Sequence, residues 1–273
     1  MNRSPWRRAI QYAAPTLLLI LTALVLVLPS VISGDPNAIN TGRILMPPGQ
    51  GRILGYDQLG RDEGLRLLHG GRMALATGLA AVTSSTVIAT LLGLTAGYLG
   101  GKIDLAIAAV IDLLLSVPGL LVTLAVLGIL GTGRLPMMVA LVGGSWASEA
   151  RIIRSKALST RTSGYVEAAR ALGATDRRIL WKHVLPNSMS TLLVLASLSL
   201  GEILLVVSGL SFLGLGAQPP DADWGTMLAG SRPYLGQAPW LMVAPGACIV
   251  LFSLLCNLSG DALRSALDRR AGS

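Results

Sequence analysis

The sequence predicts an all-α polytopic membrane protein, with six transmembrane helices folded as one domain over residues 1–273. Three observations carry this. The chain is 52% hydrophobic and only 13% charged, about half the charge of an ordinary soluble domain, which runs to roughly 25%. Several apolar runs reach the roughly 20 residues that a helix needs to cross a hydrocarbon core about 30 Å thick. Lys and Arg gather in the segments between alternate runs, the bias expected of cytoplasmic loops.

The first run, "AAPTLLLILTALVLVLPSV" at 13–31, follows Arg3, Arg7 and Arg8. It is long for the apolar core of a signal peptide cleaved after Ser33 and long enough to span, so it reads as a retained first helix. Residues 32–71 are polar and rich in turn formers such as Asp35-Pro36 and Pro47-Pro48, and read as a loop. The second span is expected over about 75–98. Gly93, Gly97 and Gly101 fall at four-residue spacing there, which invites close approach of another helix. The third, about 104–131, is expected to kink or break at Pro118-Gly119. The fourth, about 136–156, meets Glu149 and Arg151 early and is expected to leave the membrane as a helix. The fifth is about 188–209, followed by a Gly/Pro-rich loop to about 239, and the sixth is about 240–260. Cys248 and Cys256 are eight residues apart in that last run, about 12 Å along a helix. That is too far for a disulfide, so they read as small buried hydrophobes.

Six spans put both termini on one face. With the N-terminus cytoplasmic, the opposite side holds Arg43, Arg52, Arg61, Arg66, Arg72, Arg134 and Arg232, seven of the 22 Lys and Arg, and the cytoplasm the other fifteen. The sign is the one the positive-inside rule requires. It accounts for the net charge of +8 without nucleic acid, for which the sequence has no basic patch interleaved with stacking aromatics.

The same topology places residues 160–187 in the cytoplasm. There "EAARALGATDRRILWKHVLPN" interrupts the oil with Glu167, Arg170, Asp176, Arg177, Arg178 and Lys182. Residues 164–172 read as a short helix with Val166, Ala169 and Leu172 on one face. Gly173 breaks it, and Thr175 caps a second short helix through His183. Pro186 opens the fifth span, where a missing N–H costs least.

This spacing, Glu-Ala-Ala, three residues, Gly, then eleven residues to Leu-Pro, resembles the EAA signature of ABC-importer permeases. "HVLPN" is similar to the ending seen in the peptide/nickel branch, with His183 where the general signature has Ile. "GYDQLGRD" (55–62), "GLSFLGLG" (209–216), "DWGTML" (223–228) and "NLSGDALRSALD" (257–268) resemble the same branch, of the subunit type usually called C. Val206-Val207-Ser208-Gly209 stands where many peptide-type members carry an acid, which leans the likeness toward nickel or metal-chelate members. The resemblance implies the fold of type I importer permeases and half of a translocation channel for a peptide, nickel or metal-chelate solute. Its implied partners are a second permease subunit, two cytoplasmic ATPase domains that carry ATP and Mg, an extracytoplasmic solute-binding protein and the lipid membrane. It further implies that Glu167 contacts the ATPase, Ala168 and Ala169 allow close approach, Gly173 makes the turn, and Leu185-Pro186 lead back into the bilayer.

No enzyme or metal centre is legible. The nearest approach to a P-loop, "AGYLGGKID", has Ala96 where Gly is needed and Ile103 where Ser or Thr is needed. The chain therefore reads as a transport subunit without a cofactor of its own. His69 and His183 fall on opposite sides of the membrane and the cysteines in a third place, so no ligand set forms. Two acids fall inside spans, Asp112 in the third and Glu202 in the fifth. Acids at depth face an aqueous path or a partner, so both are candidates for the translocation path or for a bond between helices. Two other classes stay open: a carrier driven by an ion gradient, which would show repeated halves, and a scaffold subunit without a path.

Overall fold

The computed structural model describes residues 5–271, with side chains described for 13–267. Arg3 and Ser273, and the side chains of Arg7, Arg8, Asp268, Arg269 and Arg270, lie outside the described residues. The described residues hold ten α-helices: α1 (Pro5–Val31), α2 (Glu63–Leu99), α3 (Gly101–Leu115), α4 (Gly119–Leu130), α5 (Arg134–Arg161), α6 (Gly164–Ala171), α7 (Asp176–Ile179), α8 (Leu185–Phe212), α9 (Trp224–Ser231) and α10 (Trp240–Ala271). Among the described residues there is no strand, only one isolated bridge between Tyr56 and Asp62.

The long helices α1, α2 and α10 are long and apolar enough to cross a membrane, as is the continuous stretch from Asp176 to Phe212. The pair α3 and α4 meets the same standard only when taken together, bent by 88° at the break, as a broken span or a re-entrant loop. Pro118 caps α4 there, where it has no N–H to lose, so the break expected at Pro118-Gly119 is present. The 28-residue α5 falls short of the same standard of length and composition, because Glu149, Arg151, Arg154 and Lys156 occupy its second half. Length and composition thus support four crossings, or five when the bent pair counts as one, against the expected six.

Helix α2 is the axis of the molecule. At 37 residues and 1.5 Å rise it is about 55 Å long, well beyond a bilayer core of about 30 Å. Its first three turns carry Glu63, Arg66, His69 and Arg72, so these stand outside the apolar belt and the spanning part is the expected 75–98. The helix starts early because Asp62 caps it, accepting from the N–H groups of Gly64 and Leu65.

The glycine spacing does what its pattern predicts at two positions of three. A Cβ on Gly93 would meet the Ala150 carbonyl oxygen at 2.8 Å, and one on Gly97 would meet the Ala157 Cβ at 2.7 Å, so α5 runs directly against α2. Gly101 has open space and instead begins α3 at positive φ. Behind this seam Ala89, Leu94, Ile153 and Ala157 form a buried cluster with Val166, Ile179 and Val184 of the segment that follows.

At the other end of α2 the residues expected to form only loops fold into a cap. Asp57 of "GYDQLGRD" accepts from the Leu59 and Arg61 backbones and holds the guanidinium of Arg61 at 2.6 Å. Gly60 sits at φ +71° against the Asn40 backbone, a position no L side chain fits. The motif "DWGTML" forms α9, started by a capping box between Asp223 and Thr226. Trp224 is buried against Phe252 and donates its indole N–H to the Leu67 carbonyl at 2.9 Å. Cys248 and Cys256 are free, half-buried and buried respectively.

Candidate functional site

Two places gather the expected site residues. The first lies at the far end of α2 from the cap. Helix α6 ends in a Schellman turn: Ala174 N–H reaches the Ala169 carbonyl at 3.1 Å and Gly173 N–H the Arg170 carbonyl at 3.0 Å, with Gly173 at φ +81°. Thr175 then caps α7, its hydroxyl accepting from Arg178 N–H at 3.4 Å. The two short helices fold back on each other as expected, but the second does not stop at His183. It passes through a π-helical turn, Leu180–Val184, straight into α8. The wide turn falls immediately before Pro186, which has no N–H for the preceding turn.

The unit is tied down on its inner side. Val166 and Ile179 are fully buried, and Ala169 and Leu185 pack on the same cluster. The Tyr98 hydroxyl at the end of α2 donates to Asp176 at 2.6 Å and accepts from Arg170 at 3.4 Å, which joins both short helices to α2. Asn187 donates to Thr160 and Tyr165 and closes the base. Outward stand Glu167, Ala168, Gly173 and Pro186, all exposed. Leu172 departs from the expected inner face: at 89% exposed it stands at the apex, because the chain has begun its left-handed turn and its side chain no longer follows the helical stripe. An 89%-exposed Leu beside Glu167 and Ala168 is a feature the periodicity concealed.

The second place is a cleft of about 300 Å³ between the α3–α4 break, α5 and α8, lined by Thr123, Ser145, Ser148, Ser199 and Glu202. Glu202 is exposed within it. Asp112 is not among the residues that line it: its carboxylate pairs with Arg151 of α5 at 2.5 Å on an exposed face. The two candidate acids are therefore separate. Sequence reasoning missed a third acid, Glu149, which is 3% exposed and accepts from Thr86 of α2 at 3.0 Å and Ser199 of α8 at 2.7 Å. The rule that selected Asp112 and Glu202, an acid within an apolar run, selects Glu149 as well once α5 is placed in the bundle. Among the described residues no group of three or more His, Cys, Asp or Glu is placed to hold a metal ion.

A family profile described as binding-protein-dependent transport system inner membrane component matches residues 89–273. The chain is similar to the dipeptide transport system permease protein of Alkalihalophilus pseudofirmus, with 37% identity over 97% of this chain and 90% of that one. It is 38% identical to the glutathione transport system permease protein of Pectobacterium atrosepticum, over 97% and 91%. With the nickel transport system permease protein of Escherichia coli the identity is 36%, over 86% and 84%. Among solved structures, an inward-facing form of the MetNI methionine ABC transporter shares the fold, with a TM-score of 0.60 and 21% identity, covering 74% of this chain and 95% of that one.

Proposed function

This chain belongs to the family of binding-protein-dependent transport system inner membrane components, and from that premise we propose that it forms half of the channel of an ATP-driven importer and is moved through residues 160–187. A second permease subunit, different in sequence, completes the channel and supplies the other wall of the Glu202 cleft. Two cytoplasmic ATPase domains carry the ATP and Mg, and an extracytoplasmic binding protein delivers the solute. Six crossings, with α5 as the fourth, keep both termini in the cytoplasm together with the basic segment around α6 and α7. The solute is a peptide or nickel, as the relatives' names span, or a metal chelate.

The observation that carries this reading is the unit around Gly173. Two short helices are held rigid from within by Tyr98, Asp176 and Asn187. They present an exposed acid, an alanine and a bare leucine to the outside. The unit continues without a break into α8, which carries Glu202. A push on α6 is thereby a push on a wall of the cleft, and ATP-driven closure of the ATPases swings the bundle between its two open states. Co-expression with the ATPase subunits tests it: the complex co-purifies, and binding protein loaded with solute raises ATP hydrolysis in proteoliposomes. ATPases that neither co-purify nor respond would overturn the reading.

A further inference from the structure

The cleft beside Glu202 carries a hydrogen-bond polarity that its composition does not reveal. Its polar side chains are four hydroxyls and one carboxylate. A hydroxyl has one proton to give and two lone pairs to offer, so where each proton goes decides what the cleft can bind. Thr123 donates to the Gly119 carbonyl at 2.9 Å, Ser145 to the Leu141 carbonyl at 2.7 Å and Ser148 to the Ser145 carbonyl at 3.0 Å. Ser199 donates to the buried Glu149 at 2.7 Å. Ser145 also lies 2.7 Å from the Ser85 hydroxyl; with its own proton committed, Ser145 accepts that contact. Every hydroxyl on the wall has spent its proton on the scaffold. No Lys, Arg or His lines the cleft.

We infer that this wall is an acceptor-only recognition surface, which takes the N–H donor end of a solute, above all a protonated amine set against Glu202, and leaves any carboxylate of that solute to the opposite wall. The inference rests on the proposed importer function and deepens it by naming the chemical class that passes this half of the channel. Glu149 acts as a positioning residue: by taking the Ser199 proton it leaves the Ser199 lone pairs for the cleft. An anion would meet only lone pairs and a like charge, and would lose its hydration without replacement. An ammonium group would regain its hydrogen bonds from Glu202 and the neighbouring hydroxyl oxygens.

A reporter thiol in the cleft of the complete reconstituted transporter tests this without knowledge of the solute. In a Cys248→Ala, Cys256→Ala background, Ser148→Cys is labelled with trimethylammonium-ethyl, sulfonato-ethyl and methyl methanethiosulfonates, which are cationic, anionic and neutral. The neutral reagent reports access and folding. The expected result is a cationic-to-anionic rate ratio about tenfold above that of free cysteine, as one nearby carboxylate gives at intermediate dielectric. Glu202→Gln should return the ratio to the free-cysteine value, and Glu202→Asp should keep most of it. A ratio that favours the anion, or one indifferent to Glu202→Gln at an unchanged neutral rate, overturns the inference. Loss of ATPase co-purification would instead count against the importer reading, and is measured separately.

Discussion

Glu63 is the side chain most at odds with its surroundings. It stands at the first position of α2, outside the apolar belt, 3% exposed, and one of its carboxyl oxygens has no hydrogen-bond partner. Burial pushes it up to about 8 from 4.5, with Asp57 adding to the rise and Arg66 and Arg61 opposing it. A carboxyl whose folded value is raised binds its proton more tightly in the native state. Its contribution to stability is therefore complete below pH 4.5, falls with rising pH, and is gone above about 8. The slope is at most about 1.4 kcal/mol per pH unit. The melting temperature of the reconstituted complex should accordingly fall between pH 5 and pH 8. Glu63→Gln, which keeps the shape and cannot ionise, should flatten that fall. An unchanged slope in Glu63→Gln would mean that other groups set the pH dependence.

At the scale of elements, two glycine-dependent features make opposite demands. Gly173 has open space around it and φ +81°, so its requirement is purely conformational. Gly173→Asn should be tolerated, because Asn visits the left-handed region readily, while Gly173→Val should cost about 1–2 kcal/mol or more in the turn and misdirect α7. The expected reading is ATPase co-purification close to normal for Asn and strongly reduced for Val, with equal amounts of membrane-inserted chain. Glu167→Ala should weaken ATPase binding less than Gly173→Val does, since it removes one charge and leaves the turn intact. Lys156→Ala, half-buried on α5 and outside the turn, is the control expected to be silent. Gly97 is the reverse case. It has ordinary helical φ, but α5 lies where its side chain would go. Gly97→Leu should force the α2–α5 seam apart, at the about 1–3 kcal/mol typical of overpacking or more. Gly128→Leu, in open space on α4, should melt like the parent. A Gly97→Leu chain that melts with the parent would show that the seam is not close-packed.

Across the whole molecule, α2 separates two differently built ends. The cap at its start holds buried Arg61 and Arg66 on Asp57. The end near Tyr98 holds the exposed basic segment, with Arg161 reaching back to the Leu99 carbonyl. With the basic end cytoplasmic, reporter fusions at Ser273 and near Asn40 should give opposite signals. A periplasmic signal from Ser273 would sink that topology.

Much of this was legible in one dimension. Apolar run length and the distribution of Arg are properties of the chain itself, so the membrane class, the break at Pro118 and the charged interruption at 160–187 needed no partner to be read. The Gly173 turn and the Thr175 cap were legible for the same reason, since each is closed by residues within a few positions. What periodicity could not reach is set by which helix faces which. Asp112 and Glu202 looked alike as acids in apolar runs until α5 brought Arg151 to one and a row of hydroxyls to the other. Glu149 looked like the end of a span until α2 and α8 closed over it with Thr86 and Ser199. Leu172 kept its helical spacing and lost its burial to a turn one residue away. A side chain's identity states which protons and charges it owns. Only the packed helices decide where those protons are spent, and therefore what the cleft has left to offer.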